Sequence, residues 1–226
     1  MFGPSGPTLS SAQRNRFEAD RRILTETMPR VRHLVLADGR GAVAQGPVDV
    51  DIGAGCFEPV EVRMEFEPGY PPQPPTVFDD ARRWRPSLDR HLLGDYRFCL
   101  WLAGVDSPAL TTPEHLRTFI LQLLLFLRDQ FVFDDLGRWP TRDWPHGAAA
   151  AYAQHVVERL GVATCAAFDA LWRLVLGAPG RADRACPCGS RINYERCHRN
   201  AVRDLAWIGQ RNDQRDIAAA ARSQLV

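Results

Sequence analysis

The chain of 226 residues is 45% hydrophobic and 24% charged, and its 28 basic and 27 acidic side chains leave a formal net charge of +1. That length suffices for one good-sized domain with an appendage. The near-zero charge excludes a protein whose attachment to nucleic acid or anionic membrane rests on a strong field.

In chain order, residues 1–11 are rich in Gly, Pro and Ser and lack the apolar core of a secretion signal, so the expected compartment is the cytoplasm. Ala12 to Met28 sets Phe17, Ile23 and Leu24 among charges, the pattern of an amphipathic helix. Val31 to Leu36 is β-branched and apolar and precedes the turn signal Asp38-Gly39, which predicts a strand. Val48 to Ile52 and Val60 to Phe66 alternate apolar and polar, as half-buried strands do. The prolines of Tyr70-Pro71-Pro72-Gln73-Pro74-Pro75 then force extended backbone. Ala81 to Trp101 shows no period and reads as an ordered loop.

Thr112-Pro113-Glu114 has the chemistry of a helix start: a hydroxyl at the N-cap, Pro at the first helical position, an acid in the first turn. Leu116, Phe119, Ile120, Leu123, Leu124 and Leu127 follow at helical spacing. The stretch from Phe119 to Leu127 is the greasiest in the chain, but it contains Gln122 and is far too short to cross a bilayer. Further helices are predicted over Ala148 to Leu160 and Ala163 to Leu176, with Gly177-Ala178-Pro179-Gly180 as a linker. Ala201 to Leu225 reads as one more helix, rich in Arg and Asp. The outline is α+β, an antiparallel strand meander flanked by helices plus a small C-terminal module. The expected boundaries are 12–160 for the main domain, 161–180 for a helix and linker, 181–200 for the module and 201–226 for the last helix.

The six cysteines are not spaced like a secreted disulfide framework. Cys99, in Arg97-Phe98-Cys99-Leu100-Trp101, falls on an irregular loop between a strand-rich half and a helical half, where two large partners can reach a thiol in turn. Cys56 follows Gly53-Ala54-Gly55 and reads as a packed or surface thiol, and Cys165 as a small core residue.

Val60 to Asp135 resembles the ubiquitin-conjugating-enzyme (UBC) fold, whose members carry a ubiquitin-like protein as a thioester. The matching pieces are Tyr70-Pro71-x-x-Pro74-Pro75, Phe98-Cys99-Leu100, Ser107-Pro108-Ala109-Leu110-Thr111, a long helix ending near Asp129, and Asp134-Asp135. The resemblance implies that Cys99 forms the thioester. Its partners would be an activating enzyme, a ubiquitin-like protein and a protein acceptor, with Pro72, Ser107, Pro108 and Ala109 on the partner-binding loops. Departures are clear. The family's His-Pro-Asn falls on Asp89-Arg90-His91, its partner-loop aromatic on Pro72, and the tryptophan before Ser-Pro-Ala on Asp106. Such drift resembles bacterial homologues, which occur in gene clusters with an activating enzyme, a modifier and a peptidase, several of them antiviral.

Transthiolation needs a thiolate but no dedicated base, and it gains from donors aimed at the tetrahedral oxyanion. A ring N–H of His91 is one such donor; the alternative is a loop histidine bonding backbone carbonyls. Attack by an amine gains from a nearby carboxylate, a role the resemblance gives to Asp135 with Asp134 beside it; the alternative is solvation at a helix exit. His146, in Pro145-His146-Gly147, is a loop histidine able to fold back towards the thiol.

Cys186-Pro187-Cys188-Gly189-Ser190 followed by Cys197-His198 supplies three thiolates and an imidazole, a full tetrahedral set for structural Zn²⁺. The run resembles the SEC-C zinc motif, known at the tail of the bacterial Sec motor ATPase and in many appended modules. Arg191, Ile192 and Asn193 replace that motif's usual glycine and lysines. A module this short has little core, so metal affinity of roughly 10–16 kcal/mol would supply most of its folding energy.

No lysine occurs, so all 28 basic side chains are arginine. Codon bias in a GC-rich genome is one reading. The other is protection of an acyl carrier from self-modification, since arginine keeps the charge without offering a useful amine. Against the transferase stand a non-catalytic UBC-like scaffold whose metal module recruits a partner, and a cysteine hydrolase using Cys99 and His146.

Overall fold

The computed structural model describes residues 10–35, 41–140, 148–178, 180 and 184–225. The chain divides into two compact units, Met1–Arg142 and Asp143–Val226.

The first unit opens with α1 (Ser11–Thr27). A capping box starts it: the Ser10 hydroxyl accepts the Gln13 N–H at 3.2 Å, and the Gln13 side chain accepts the Ser10 N–H at 2.8 Å. Strands β1 (Arg32–Val35), β2 (Ala42–Gly53), β3 (Cys56–Phe66) and β4 (Thr76–Asp79) form a four-stranded antiparallel sheet in chain order. The register sets Val48 against Val60 and Ala44 against Met64, all buried.

β2 is longer than its predicted core because Ala42 and Ala44 continue the buried alternation without a strong strand signal. Gly46 sits inside it at φ +143°, where an added Cβ would lie 2.9 Å from the Arg30 carbonyl, so this close backbone approach requires glycine. β4 went unpredicted: four residues after a proline run show no readable period.

Helix α2 (Pro113–Leu136) begins at the Thr112 N-cap and ends at Gly137, whose left-handed backbone donates its N–H to Phe133 O at 2.8 Å. It runs past the expected end near Asp129, so Asp134 and Asp135 lie in its last turn rather than beyond it. Phe131, Val132 and Phe133 are compatible with helix, and Gly137 is the first effective stop. α1 packs on α2, and α2 on β2. Leu116, Phe119, Ile120, Leu123 and Leu127 are buried between them.

The second unit is helical: α3 (Ala148–Leu160), α4 (Cys165–Val175), α5 (Tyr194–Cys197), α6 (Arg199–Leu205) and α7 (Gln214–Ser223). α3 therefore belongs with the C-terminal helices, not with the main domain as the boundary at residue 160 had it, because it packs on α7 and α6. Nor does the Cys/His segment lack a core: Val156, Leu160, Phe168, Leu171, Leu205, Ile208 and Ile217 are buried in the same unit. The expected helix from Ala201 to Leu225 is broken into α6, a 3₁₀ turn over Ile208–Gln210, and α7. At Gly209 a Cβ would lie 2.5 Å from the Val175 carbonyl, so the break lets the chain press against the end of α4. Among the described residues, no helix is long and apolar enough to cross a membrane.

Candidate functional site

Cys99 is exposed, and its backbone is fixed. Its N–H donates to the His91 carbonyl at 2.7 Å, while the preceding Phe98 N–H donates to Val77 O of β4 at 2.9 Å. Single bridges join Leu92 to Phe98 and Phe78 to Arg97, so the loop that carried no period is pinned to the sheet edge. Protein around the sulfur raises the thiol pKa by desolvation; Arg97 opposes this and Asp106 adds to it. The thiol is thus reachable, ordered and less ionised than a free cysteine.

His91 adjoins Cys99 through that 2.7 Å backbone bond, in a left-handed conformation at φ 50° that ends the 3₁₀ turn Leu88–Arg90. Its ring meets Trp139 edge-on with centroids 5.2 Å apart. Asp134 is engaged elsewhere: it accepts from the Trp84 indole N–H at 3.0 Å and pairs with the Arg90 guanidinium. Fully buried Gln130 donates to Arg90 O at 2.7 Å. This clamp holds the 88–91 turn onto α2, so Asp134 positions the Cys99 loop. Asp135, its neighbour, is exposed and takes no part in the clamp. His146 lies outside the described residues.

The two segments expected to meet partners do come together. Leu110 N–H donates to Pro71 O at 3.3 Å, which sets exposed Pro72 near the Ser107-Pro108-Ala109 run. Sequence reading missed Trp84, Arg90, Gln130 and Trp139. Trp139 lies just beyond the Gly137 helix stop, and its indole donates to Asp89 O at 2.6 Å. A large aromatic side chain directly after the helix stop was the available signal. Cys56 is exposed, and Cys165 is half-buried rather than a core residue, with its sulfur 3.6 Å from Arg222 O.

In the second unit Cys186, Cys188, Cys197 and His198 bring one ligand atom each within 4.8 Å of one another. Cys186 N–H donates to Ile192 O at 2.7 Å and Gly189 N–H to Cys186 O at 3.2 Å, folding the first pair into a knuckle. Gly189 takes φ +88° there. The short helix α5 delivers Cys197, with His198 following it. A tetrahedral ion with metal–sulfur bonds of about 2.3 Å needs sulfurs about 3.7–3.8 Å apart; Cys188 and Cys197 stand at 3.7 Å. His198 Nδ1 lies 3.2 Å from Cys186 Sγ and 3.0 Å from Cys197 Sγ, a few tenths closer than the ideal edge. The donor set fits a metal ion.

Its supporting contacts fit as well. His198 Nε2 is 2.7 Å from the Leu160 carbonyl at the end of α3, which assigns the N–H to Nε2 and leaves Nδ1 for a metal. The Ser190 hydroxyl lies 3.3 Å from Cys197 Sγ. Burial and hydrogen bonds to Cys188 and Cys197 push the Cys186 thiol up to about 12. At Cys188 burial acts in the same direction, but hydrogen bonds from Ser190 and from the two other cysteines outweigh it and bring the thiol down to about 6.

Comparison with protein families matches residues 185–200 to the SEC-C motif, which is zinc-associated. No curated protein and no solved structure matches the chain.

Proposed function

We propose that Cys99 carries a ubiquitin-like protein as a thioester, received from an activating enzyme and passed to a protein acceptor, in a cytoplasmic bacterial conjugation system of the antiviral-defence kind. The observation that carries this reading is an exposed thiol on a loop locked to both β4 and α2, behind a helix and an antiparallel meander. That is the order of elements the UBC resemblance implies.

In this reading the Cys99 thiolate attacks the carbonyl carbon of the incoming thioester, and collapse of the tetrahedral intermediate expels the activating enzyme's thiolate. An acceptor amine then attacks the new thioester, loses a proton, and releases Cys99. His91 adjoins the sulfur's own backbone and supplies a ring N–H for the oxyanion. Asp135, free of the clamp that occupies Asp134, is the acid that orients the amine or takes its proton.

Cys186, Cys188, Cys197 and His198 hold structural zinc. Four protein ligands leave no open coordination position, so the ion's contribution is to hold the 185–198 knuckle, and with it a surface for recruiting a client.

The test is incubation with ATP and with the activating enzyme and ubiquitin-like protein of the same gene cluster, followed by gels run with and without reductant. A thiol-sensitive band lost in Cys99→Ala is expected. Its absence with active partners overturns the transferase and leaves the scaffold reading, which the raised thiol pKa favours.

A further inference from the structure

Cys99 has a charged neighbour on its own side of the loop. Arg97 and Phe98 each form a single bridge, to Phe78 and to Leu92, so the backbone there is extended. Along it Arg97 is exposed, Phe98 is buried and Cys99 is exposed. That alternation sets the side chains of 97 and 99 on one side, with their Cα atoms about 6.6 Å apart at the ordinary strand rise. The Arg97 backbone N–H donates to Asp95 Oδ1 at 3.2 Å. Its Nε stands 3.8 Å from Oδ2 of the same carboxylate, at the outer limit of an ion pair.

A cation in that place favours the thiolate, against the desolvation that opposes it. Lysine would supply the same charge. It would also bring a primary amine on a flexible four-carbon stem, long enough to reach an acyl group held on the sulfur. An amine so placed reacts with an effective molarity that a separate acceptor in solution lacks. Arginine stays protonated and is no useful acyl acceptor. The chain contains no lysine. Codon bias would remove that residue at every position alike, whereas the hazard of an amine is confined to positions within reach of the sulfur.

We propose that Arg97 determines where the acyl group goes: it sets a positive charge beside Cys99 without offering an amine, so that a bound acyl group is kept for an acceptor on another protein. The inference rests on the reading of Cys99 as the thioester-forming residue, and it adds how that site avoids modifying its own chain. In Arg97→Lys the new side-chain nitrogen attacks the thioester carbonyl carbon. A C–N bond forms as the C–S bond breaks, Cys99 leaves as the thiolate, and the surplus proton on nitrogen passes to water. The product is a stable amide on the carrier and an emptied thiol.

The experiment uses the full-length protein and needs no activating enzyme. A glycine-ended peptide, supplied as its mercaptoethanesulfonate thioester, exchanges onto Cys99 at mildly alkaline pH and releases the small thiol; the excess is then removed. Mass spectrometry follows thioester and amide at each position, with reductant stripping the thioester alone. Arg97→Lys is expected to lose its thioester faster than the unaltered chain and to gather an amide at position 97. That amide should exceed, roughly tenfold or more, the amide at position 30 in Arg30→Lys. Arg30 is the distal control because it pairs with Asp49 of β2, two strands from the β4 edge that holds the Cys99 loop. Adding Cys99→Ala to Arg97→Lys should abolish the amide, since the acyl group arrives through the sulfur. Equal amide at 97 and 30, an unchanged thioester lifetime in Arg97→Lys, or an amide that survives Cys99→Ala overturns the proposal. Such a failure leaves the gel test with the activating enzyme standing. A missing band in that test leaves this result readable, because the small thioester loads the thiol unaided.

Discussion

The two units use the same element in opposite ways. In the first, one sulfur stands apart from other thiols, exposed, with its ionisation discouraged by the protein around it. In the second, three sulfurs and an imidazole converge within 4.8 Å, and their mutual contacts split the thiols, Cys186 going up to about 12 and Cys188 down to about 6. A lone exposed thiol is open to a partner that arrives later. A converged set of four donors fits a shared cation. On the proposed reading, isolation and access suit Cys99 to a reactive role, and convergence suits the C-terminal set to an architectural one.

The sharpest way to break this contrast is to remove one metal ligand. Cys197→Ala is expected to abolish bound zinc, measured by elemental analysis of the purified chain, and to lower the thermal midpoint of the helical signal in circular dichroism. Binding of roughly 10–16 kcal/mol is at stake in such sites. If Cys99→Ala lowered the zinc content equally, the division of labour between the two kinds of cysteine would be wrong. Next in size is Leu127→Ala in the fully buried row of α2, expected to cost about 2–5 kcal/mol in urea denaturation. A cost below that range would mean that α2 does not form the floor under the thiol loop.

A smaller change probes how that loop is held. Gln130→Leu leaves the Arg90 carbonyl without its 2.7 Å donor and is expected to cost about 1–3 kcal/mol. Faster hydrogen exchange at the Cys99 amide would show that the clamp, not the sheet alone, orders the thiol.

The smallest effect is electrostatic. The thiolate is the reacting form, so Cys99 alkylation should rise with pH and level off above the ordinary thiol range, because its pKa is raised. Asp106→Asn should move that midpoint down and Arg97→Gln should move it up. Both shifts should be small, because exposed charges are screened by solvent. Shifts of the same sign would contradict the opposed action of these two neighbours.

What was readable in the sequence follows from how local each signal is. The alternation of Val60 to Phe66, the Thr112-Pro113 helix start and the four metal ligands are short-range patterns, and each stands where its spacing placed it. The clamp was illegible because Trp84, Arg90, Gln130 and Asp134 meet only through tertiary packing. Asp134 therefore looked like a free acid and is instead a structural acceptor. The break at Gly209 was hidden for a related reason: its cause is the Val175 carbonyl, more than thirty positions away in sequence.

The 2.7 Å contact between His198 and Leu160 carries a consequence for how this module can vary. An engineered four-thiolate version, His198→Cys, would still offer a tetrahedral cage and retain the ion. It would forfeit the imidazole's second nitrogen and strand a helix-terminal oxygen. Metal content and helical integrity would then part company, exposing the histidine as a tether first and a ligand second.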